Sequence, residues 1–543
     1  PSEPITAPIA REISLRRNLK AYLRGVLTAR GAGYHLTLEA LNPRDGAVLV
    51  RAESDADERA RVLPALGTAA TQLRTRLGES LASLQRFDAP IEQVTTPSLD
   101  ALKAYVQARD LARSGKFEEP EKLYLHALTL DPNFASAYGG LAVLCYNDDR
   151  FDRAREYATR AFQLKDRVSE LERLRISQTY YTITEEEIEK SIEVMKLTRD
   201  TYPRQLNGYV GLGNVYYKTG RYELAEAVQR AAYQLDRGTF QVFSNLGATL
   251  IRLNRFDEAQ QIYEEALQRQ FDTIDIREDL YILEEIKDDA AGMQRRVADM
   301  KGHHRESDVF NWQARTAVIK GQFQRAAEFT RRELEAAGND QKHRDNILAS
   351  AANRLSAYGQ CASIPATARQ LLADKRDQLN VSDAAFWFAL CGDTQRATTL
   401  LAEEEKFTPQ FWHQQYVQRP ITRAVIALRR NAPAQALIAL EPLQPYERKS
   451  QFWAQYLRAL AYQRLNQPAA AITELRTALD HRGWSPSSKL WPLLHLELAR
   501  AYRQQGDVQA SRQAYDALLA LWKDADADLP QLRAARQEAA TLH

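Results

Sequence analysis

The sequence predicts a mostly α-helical solenoid of stacked helical hairpins, and two observations support this prediction. Two segments that start 34 residues apart (243 − 209 = 34) are nearly the same: YVGLGNVYYKTGRYELAEAVQRA begins at Tyr209, and FSNLGATLIRLNRFDEAQQIYEEA begins at Phe243. A 34-residue period with small residues at fixed positions is typical of repeated helix–turn–helix units. The chain is also 44% hydrophobic and 27% charged, which suits an amphipathic helical array.

The first hundred residues differ from the repeats. Alternating and β-branched residues between turn signals at 31–33 and 43–46 predict three strands. A helix is expected on each side, at about Ile5–Leu19 and at about Asp57–Leu84. The predicted order is therefore α-β-β-β-α, and we assign it to a small, partial α/β domain over residues 1–95.

Helical pairs are expected from residue 96 onward. The repeat is regular over residues 96–270 and degenerate over 271–528, and a capping helix is predicted over 529–543. About a dozen pairs fit this length. Where two helices of a pair cross, only a small side chain fits, because a larger one would force the helices apart. The residues predicted at these crossings are Ala108, Ala142, Gly213 and Gly247 on first helices, and Ala154, Ala225 and Ala259 on second helices.

These residues resemble tetratricopeptide (TPR) repeats. The first hundred residues, with the join GESLASLQRFDAPIEQVTTPSLDALKAY, resemble the TolB-like domain that precedes TPR arrays in bacterial signalling proteins. The run ALDHRGWSPSSKLWPLLHLELARAYRQQGDVQASRQAYDALLALWKDADADLP resembles the C-terminal region of eukaryotic-like serine/threonine kinases of soil bacteria, of acidobacterial type. The resemblance implies the order kinase, membrane helix, TolB-like domain, TPR array. It also implies a fragment or processed chain, which Pro1 would suit.

No motif predicts catalysis in this chain. A protein kinase needs a glycine loop, a β3 lysine and metal-binding residues, but only His343-Arg344-Asp345 is present, and we interpret it as the start of a helix. The acidic run Glu403–Glu405 is interpreted as a solvated helix face, and His303-His304 as an exposed loop and not a metal site. We expect no enzyme activity, no cofactor and no metal.

The predicted partner is a protein or peptide, bound along the concave face that first helices line. Amide, tyrosine and basic side chains can hydrogen-bond a peptide while tyrosine adds apolar area. The candidate groove residues are Tyr146, Asn147, Asn207, Asn214, Tyr217, Lys218, Gln241, Ser244 and Arg252. For each of them, ordinary polar surface is the alternative.

Charge and hydropathy exclude two other classes of partner. The net charge of +2 gives no global field that would favour nucleic acid. No apolar run of 18 residues exists, so no membrane span is predicted in this chain.

The three cysteines are too few for a disulfide-built fold. Cys145 is expected to be a small buried side chain. Cys361 and Cys391 flank the turns of adjacent repeats, so they are either a disulfide or two independent thiols.

We therefore expect a non-catalytic interaction or sensor scaffold that belongs to a membrane-linked serine/threonine kinase. If the kinase resemblance holds, the region lies outside the cytoplasm, in the periplasm or at the cell surface. The alternatives are the repeat region of a transcription regulator, which would be cytoplasmic, and a homo-oligomeric surface assembly.

Overall fold

The computed structural model describes residues 6–16, 19–79, 95–112, 118–148, 150–184, 187–303, 305–364, 378–407 and 411–542. His304 and the predicted end of the second helix, at 80–84, lie outside these residues. The chain divides into two compact units, Pro1–Thr198 and Arg199–His543. The boundaries predicted at residues 95, 270 and 528 stay predictions.

The secondary structure is mostly helical, with one small sheet at the N-terminus. The first unit contains α1 (Ala7–Arg16), β1 (Tyr22–Arg30), β2 (Gly33–Leu41), β3 (Val48–Ala56), α2 (Val62–Arg76), α3 (Leu99–Ala112), α4 (Glu118–Leu130), α5 (Ala135–Asn147), α6 (Phe151–Gln163) and α7 (Glu170–Thr184). Helix α8 (Ile188–Thr201) ends at the start of the second unit.

The second unit continues with helical pairs. Its helices are α9 (Leu206–Lys218), α10 (Tyr222–Leu235), α11 (Phe240–Arg252), α12 (Phe256–Gln268), α13 (Ile274–Ile286), α14 (Ala290–Ala298), α15 (Asp308–Ile319), α16 (Phe323–Ala336), α17 (Gln341–Ala357), α18 (Gln378–Leu390), α19 (Thr394–Phe407), α20 (Arg419–Arg429), α21 (Pro433–Leu440), α22 (Trp453–Arg464), α23 (Pro468–Asp480), α24 (Trp491–Gln505), α25 (Val508–Leu521) and α26 (Pro530–Ala540). The predicted solenoid with a small N-terminal α/β segment is confirmed.

The sheet of the first unit is antiparallel, in the order β1-β2-β3. The order of the elements along the chain confirms the predicted α-β-β-β-α. Helix α2 packs against β2 and β3. Helix α2 begins at Val62, later than predicted, because Glu58 is extended and a short 3₁₀ turn follows it. On β1, Leu23 remains 64% exposed. This strand is therefore the thinly covered end of the sheet.

A left-handed turn joins the two helices of several pairs and recurs with the repeat. Gly220, Asn254 and Asp288 have φ angles of +77°, +59° and +51°, and they stand 34 residues apart (254 − 220 = 34; 288 − 254 = 34). Glycine and asparagine adopt this conformation more readily than other residues. The 34-residue period thus fixes the turns as well as the helix faces.

The small residues predicted at helix crossings lie where the backbones approach most closely. Ala225 and Ala259 are fully buried. A Cβ atom on Gly213 would lie 2.8 Å from Gln229 Cγ, and one on Gly247 would lie 2.3 Å from the ring of Tyr263. Both contacts are closer than carbon atoms tolerate, so a side chain at either crossing would force its neighbour to move.

Replacing Gly247 by alanine should lower the free energy of unfolding by about 1–3 kcal/mol, because the buried Tyr263 ring must move. Urea denaturation measures this loss. Gly139→Ala is the matched control, since a Cβ atom there meets nothing within 4 Å and alanine favours a helix. Equal losses in the two variants would contradict the assigned crossing.

The later repeats of the second unit pack on the ends of its earlier first helices. Asn254 Nδ2 donates to Asp480 O at 2.9 Å, and Asn254 Oδ1 accepts from Gly483 N at 2.7 Å. A Cβ atom on Gly483 would lie 1.9 Å from Ile251 O, so no other residue fits there without a shift of the backbone.

Similar long-range contacts recur within the second unit, and we call them together the seam. Its pairs are Tyr222–Arg448, Asn254–Gly483, Glu285–Ser487, Ile319–Trp522 and Tyr358–Lys489. The partners lie 131 to 229 residues apart in the sequence. The second unit is therefore held together by long-range contacts in addition to those between neighbouring repeats.

The interpretation of Glu404 as part of a solvated face is wrong. Its side chain is fully buried, and Arg419 Nε donates to its carboxylate at 2.8 Å. The reason is that Glu404 lies on the face of α19 that packs against the start of α20, whereas the neighbouring Glu405 is partly exposed and pairs with Arg423.

Two other sequence predictions are confirmed. His343 lies in the first turn of α17, where its backbone N–H donates to the capping carboxylate of Asp340 at 3.0 Å. Cys145 is fully buried on α5, and burial raises the pKa of its thiol.

Cys361 and Cys391 are joined by a disulfide in the structure, with their Cα atoms 5.8 Å apart. The bond spans 30 residues. Closing a loop of this size in the unfolded chain stabilises a fold by about 2–4 kcal/mol. We expect the Cys361→Ser/Cys391→Ser variant to lose that amount in urea denaturation. Two titratable thiols in the unreduced protein, with no change in stability, would contradict the bond.

Candidate functional site

The nine predicted groove residues are divided between the two units. Tyr146 and Asn147 lie at the end of α5 in the first unit. The remaining seven lie on α9 and α11 in the second unit. The two groups therefore belong to two separate candidate sites.

In the first unit, the first helices of three successive pairs form a groove of about 400 Å³. Helices α3, α5 and α7 provide most of the lining, with Tyr124 of α4 added, and Asn147 is one of the lining residues. The others that matter here are Tyr105, Arg109, Gly139, Val143 and Arg175. We call this the first groove. Its volume lies within the range of about 300–1,000 Å³ that is typical of ligand sites.

The floor of the first groove is open backbone beside an apolar side chain. A Cβ atom on Gly139 would meet nothing within 4 Å, whereas the same atom on the next residue, Gly140, would lie 2.6 Å from the ring of Tyr124. One turn further, Val143 is 45% exposed. The glycine pair therefore serves two purposes: Gly140 admits Tyr124 into the helix crossing, and Gly139 leaves the groove empty.

Some polar groups around the first groove already have hydrogen-bond partners, and others do not. Glu172 accepts hydrogen bonds from Ser136 Oγ at 2.8 Å and from Ser169 Oγ at 2.9 Å. By contrast, the buried Nε of Arg109 has no hydrogen-bond partner among the described residues. Arg175 is exposed. The groove thus presents donors, while its carboxylate is already bonded.

In the second unit, the structure brings three of the predicted residues to a common site. Arg252 Nε donates to Tyr217 Oη at 3.0 Å, and the Nζ of Lys449 lies 4.9 Å from the centre of the Tyr217 ring. The positive charge of Lys218 lowers the pKa of Lys449, and the charges of Lys449 and Lys218 lower the pKa of His413. We call Lys218, Arg252, His413 and Lys449 the basic cluster.

Part of this site is occupied by the chain itself. Arg252 Nη1 donates to Gly483 O at 3.1 Å in the seam. Arg252 therefore has a structural role that the sequence did not predict, in addition to its place in the basic cluster.

The basic cluster lies in an electropositive environment. Burial, together with the nearby charges of Arg252 and Lys218, lowers the pKa of Lys449 to about 8. Desolvation by the surrounding atoms, with contributions from the charges of Lys449 and Lys218, lowers the pKa of His413 to about 4, although His413 is an exposed residue. The cations in this cluster repel one another.

His413 should make the fold sensitive to acid. An unfolded histidine binds a proton near pH 6.5, whereas folded His413 binds one only near pH 4. Between these values the unfolded chain takes up a proton that the folded chain does not, so stability falls as the pH drops through this window. The melting temperature should therefore fall less between pH 7 and pH 5 in His413→Gln than in the wild type. An identical fall would contradict this role.

The other predicted groove residues belong neither to the lining of the first groove nor to the basic cluster. Asn207, Asn214 and Gln241 are exposed, and Ser244 is half-buried. Tyr146 is half-buried and makes an edge-on contact with Phe151. Their roles in binding stay predictions.

Sequence reasoning missed several residues of both sites. His413 and Lys449 lie far from α9 in sequence, so no local pattern links them to Tyr217. The Gly139-Gly140 pair on the first helix was a readable signal, because two adjacent glycines within a helix indicate close approach or open space.

Metal-binding clusters and membrane-spanning helices are both absent from the parts of the chain that the structure describes. No group of three histidine, cysteine, aspartate or glutamate side chains is arranged to hold a metal ion there. No described helix is both long and apolar enough to cross a membrane.

Family comparison identifies the repeat. One tetratricopeptide-repeat profile matches residues 204–270, and a second matches residues 105–166 and 456–529. The chain contains TPR repeats. The first match covers α9 to α12, which include the two segments that are nearly the same, and one of the others covers the α3 to α6 region that contributes to the first groove.

The chain is also similar to several solved structures. The Cut9–Hcn1 hetero-tetramer of the APC/C is 13% identical, with 82% of this chain and 86% of that chain covered and a TM-score of 0.47. A tetratricopeptide repeat protein from Parabacteroides merdae is 12% identical over 47% of this chain and 99% of that one, with a TM-score of 0.35. Yeast Tom70 is 14% identical over 81% and 95%, with a TM-score of 0.32.

Proposed function

We propose that this protein is a partner-binding scaffold in which the first groove binds an extended segment of another protein. TPR repeats support an interaction scaffold in general. The observation that carries the specific proposal is the open floor at Gly139 beside the exposed Val143. An apolar surface set among polar donors is the usual design of a peptide-binding groove.

The chemistry of the lining defines the segment that fits. Val143 and Tyr105 contact one apolar side chain, and the absence of a side chain at Gly139 lets the peptide backbone approach the helix. Asn147 and Arg175 donate hydrogen bonds to backbone carbonyls, and the unpartnered Nε of Arg109 is a further donor. Satisfying a buried donor of this kind contributes about 1–3 kcal/mol to binding.

A peptide library displayed on phage tests this proposal without a known partner. The full chain is the bait, and selected peptides are then measured by fluorescence anisotropy. Val143→Asp should weaken their binding at least about tenfold, because it places a carboxylate in the apolar part of the groove. Leu125→Asp on α4 is the matched control, since Leu125 is 40% exposed and outside the lining of the groove.

The result expected is a recurring apolar residue in the selected peptides and a loss of binding in Val143→Asp alone. No enrichment of peptides by the wild-type chain would overturn the proposal. Peptides that bind Val143→Asp and wild type equally would do so too.

The larger context is part of the same proposal: the chain is the recognition region of a membrane-linked serine/threonine kinase and acts outside the cytoplasm. The TolB-like and C-terminal resemblances support the kinase, and the bond between Cys361 and Cys391 supports an oxidising compartment. Reading the gene upstream tests this. A kinase domain followed by an apolar segment of about 20 residues is expected, and a DNA-binding domain in that position would contradict it.

A further inference from the structure

The basic cluster of the second unit is assembled from elements far apart in sequence. Lys218 lies on α9 and Arg252 on α11, while His413 and Lys449 come from segments flanking α20 and α22. Tyr217 lies between two cations: the guanidinium carbon of Arg252 is 5.8 Å from its ring centre, and Lys449 Nζ is 4.9 Å from it. The fold, and not the repeat pattern, concentrates positive charge here.

Two carboxylates of the second unit, Glu223 and Asp279, are already bonded to other groups. Glu223 pairs with Arg448 at 2.8 Å, and Asp279 accepts a hydrogen bond from the fully buried Tyr263. In the part of the chain that the structure describes, no ion pair involves Lys449. Burial raises the pKa of Asp279 to about 6, which makes it a weak counter-charge for Arg252.

We propose that the basic cluster binds the carboxylates of an acidic protein segment, at a site separate from the first groove. A bound carboxylate would accept from Lys449 and Lys218 and would relieve the repulsion between these cations. Repulsion between these cations lowers the stability of the fold. A bound anion relieves it, so an anion should bind more tightly here than at an exposed pair of lysines.

Three features favour an acidic polypeptide over nucleic acid. The net charge of the chain is only +2, so no global field favours a polyanion such as nucleic acid. Asn214 is exposed on α9, one turn before Tyr217, where it can hydrogen-bond a peptide backbone. The ring of Tyr217 is shared with two cations and is not a free platform for stacking a base.

Fluorescence anisotropy with a fluorescein-labelled hexaglutamate peptide tests the proposal at low salt on the full chain. Wild type should bind the peptide, and Lys449→Gln and Lys218→Gln should each weaken binding by about three- to tenfold, because a charged hydrogen bond is lost. Lys523→Gln is the matched control. It removes the same charge from an exposed residue for which no ion pair with a described residue is found, and it should leave binding unchanged.

Melting temperatures equal to that of the wild type show that the variants remain folded. Equal affinity in wild type and Lys449→Gln would overturn the proposal, as would equal losses in Lys449→Gln and Lys523→Gln. Complete displacement by millimolar inorganic phosphate would reassign the cluster to phosphate. An oligothymidylate that binds as tightly as hexaglutamate, with the same loss in Lys449→Gln, would reassign it to nucleic acid. Peptides selected through the first groove carry an apolar residue, so failure here leaves that separate proposal standing.

Discussion

Replacing Arg419 by methionine is expected to lower the free energy of unfolding by about 3–5 kcal/mol, because it leaves a buried carboxylate without its counter-charge. Glu404 is fully buried, and Arg419 contacts both of its oxygens, at 2.8 and 3.2 Å. Without Arg419, the buried carboxylate of Glu404 has lost its hydration and gains no ion pair to offset that loss. Urea denaturation followed by circular dichroism measures the loss.

The double variant Glu404→Leu/Arg419→Met is the decisive control. Replacing both members of a buried ion pair by apolar residues of similar volume is often neutral or stabilising. The double variant should therefore recover most of the stability that Arg419→Met loses. If the double variant were as unstable as the single one, packing and not charge would explain the effect.

Replacing Trp522 by alanine should cost about 3–5 kcal/mol, the range found for large-to-small changes of buried aromatic residues. Trp522 is fully buried and its Nε1 donates to Ile319 O at 3.1 Å. The two residues are 203 positions apart in sequence, so the change weakens the seam as well as the local core. We expect the later helices of the second unit to unfold at lower urea concentration than the earlier ones.

Trp522→Phe separates the two contributions. Phenylalanine keeps most of the apolar contact area but cannot donate to Ile319 O, so a loss of about 1 kcal/mol is expected. A single cooperative transition in Trp522→Ala, with less than about 1 kcal/mol lost, would show that the seam contributes little to the stability of the second unit.

Local periodicity explains how much of the fold the sequence predicts. Gly213 and Gly247 recur because each repeat has the same helix crossing, and the turns at Gly220 and Asn254 recur for the same reason. Such features depend only on neighbouring residues. They can be read from a single chain.

The seam and the basic cluster depend instead on where distant repeats meet. Nothing in the period indicates that Gly483 lies against Ile251, or that Lys449 reaches the ring of Tyr217. The prediction that Glu404 is solvated is wrong for a related reason. The adjacent Glu405 is partly exposed, whereas Glu404 forms a buried ion pair with Arg419, which lies 15 residues further on. The first groove was only partly predicted: Asn147 was named, but the open floor at Gly139 was not.

Amide hydrogen exchange of the full chain, with and without a selected peptide, tests most directly whether the first groove is where a partner binds. At saturating peptide, we expect slower exchange in α3, α5 and α7, around Arg109, Val143 and Arg175, with little change in α4 and α6. Protection confined to other helices, or no protection at saturation, would contradict it.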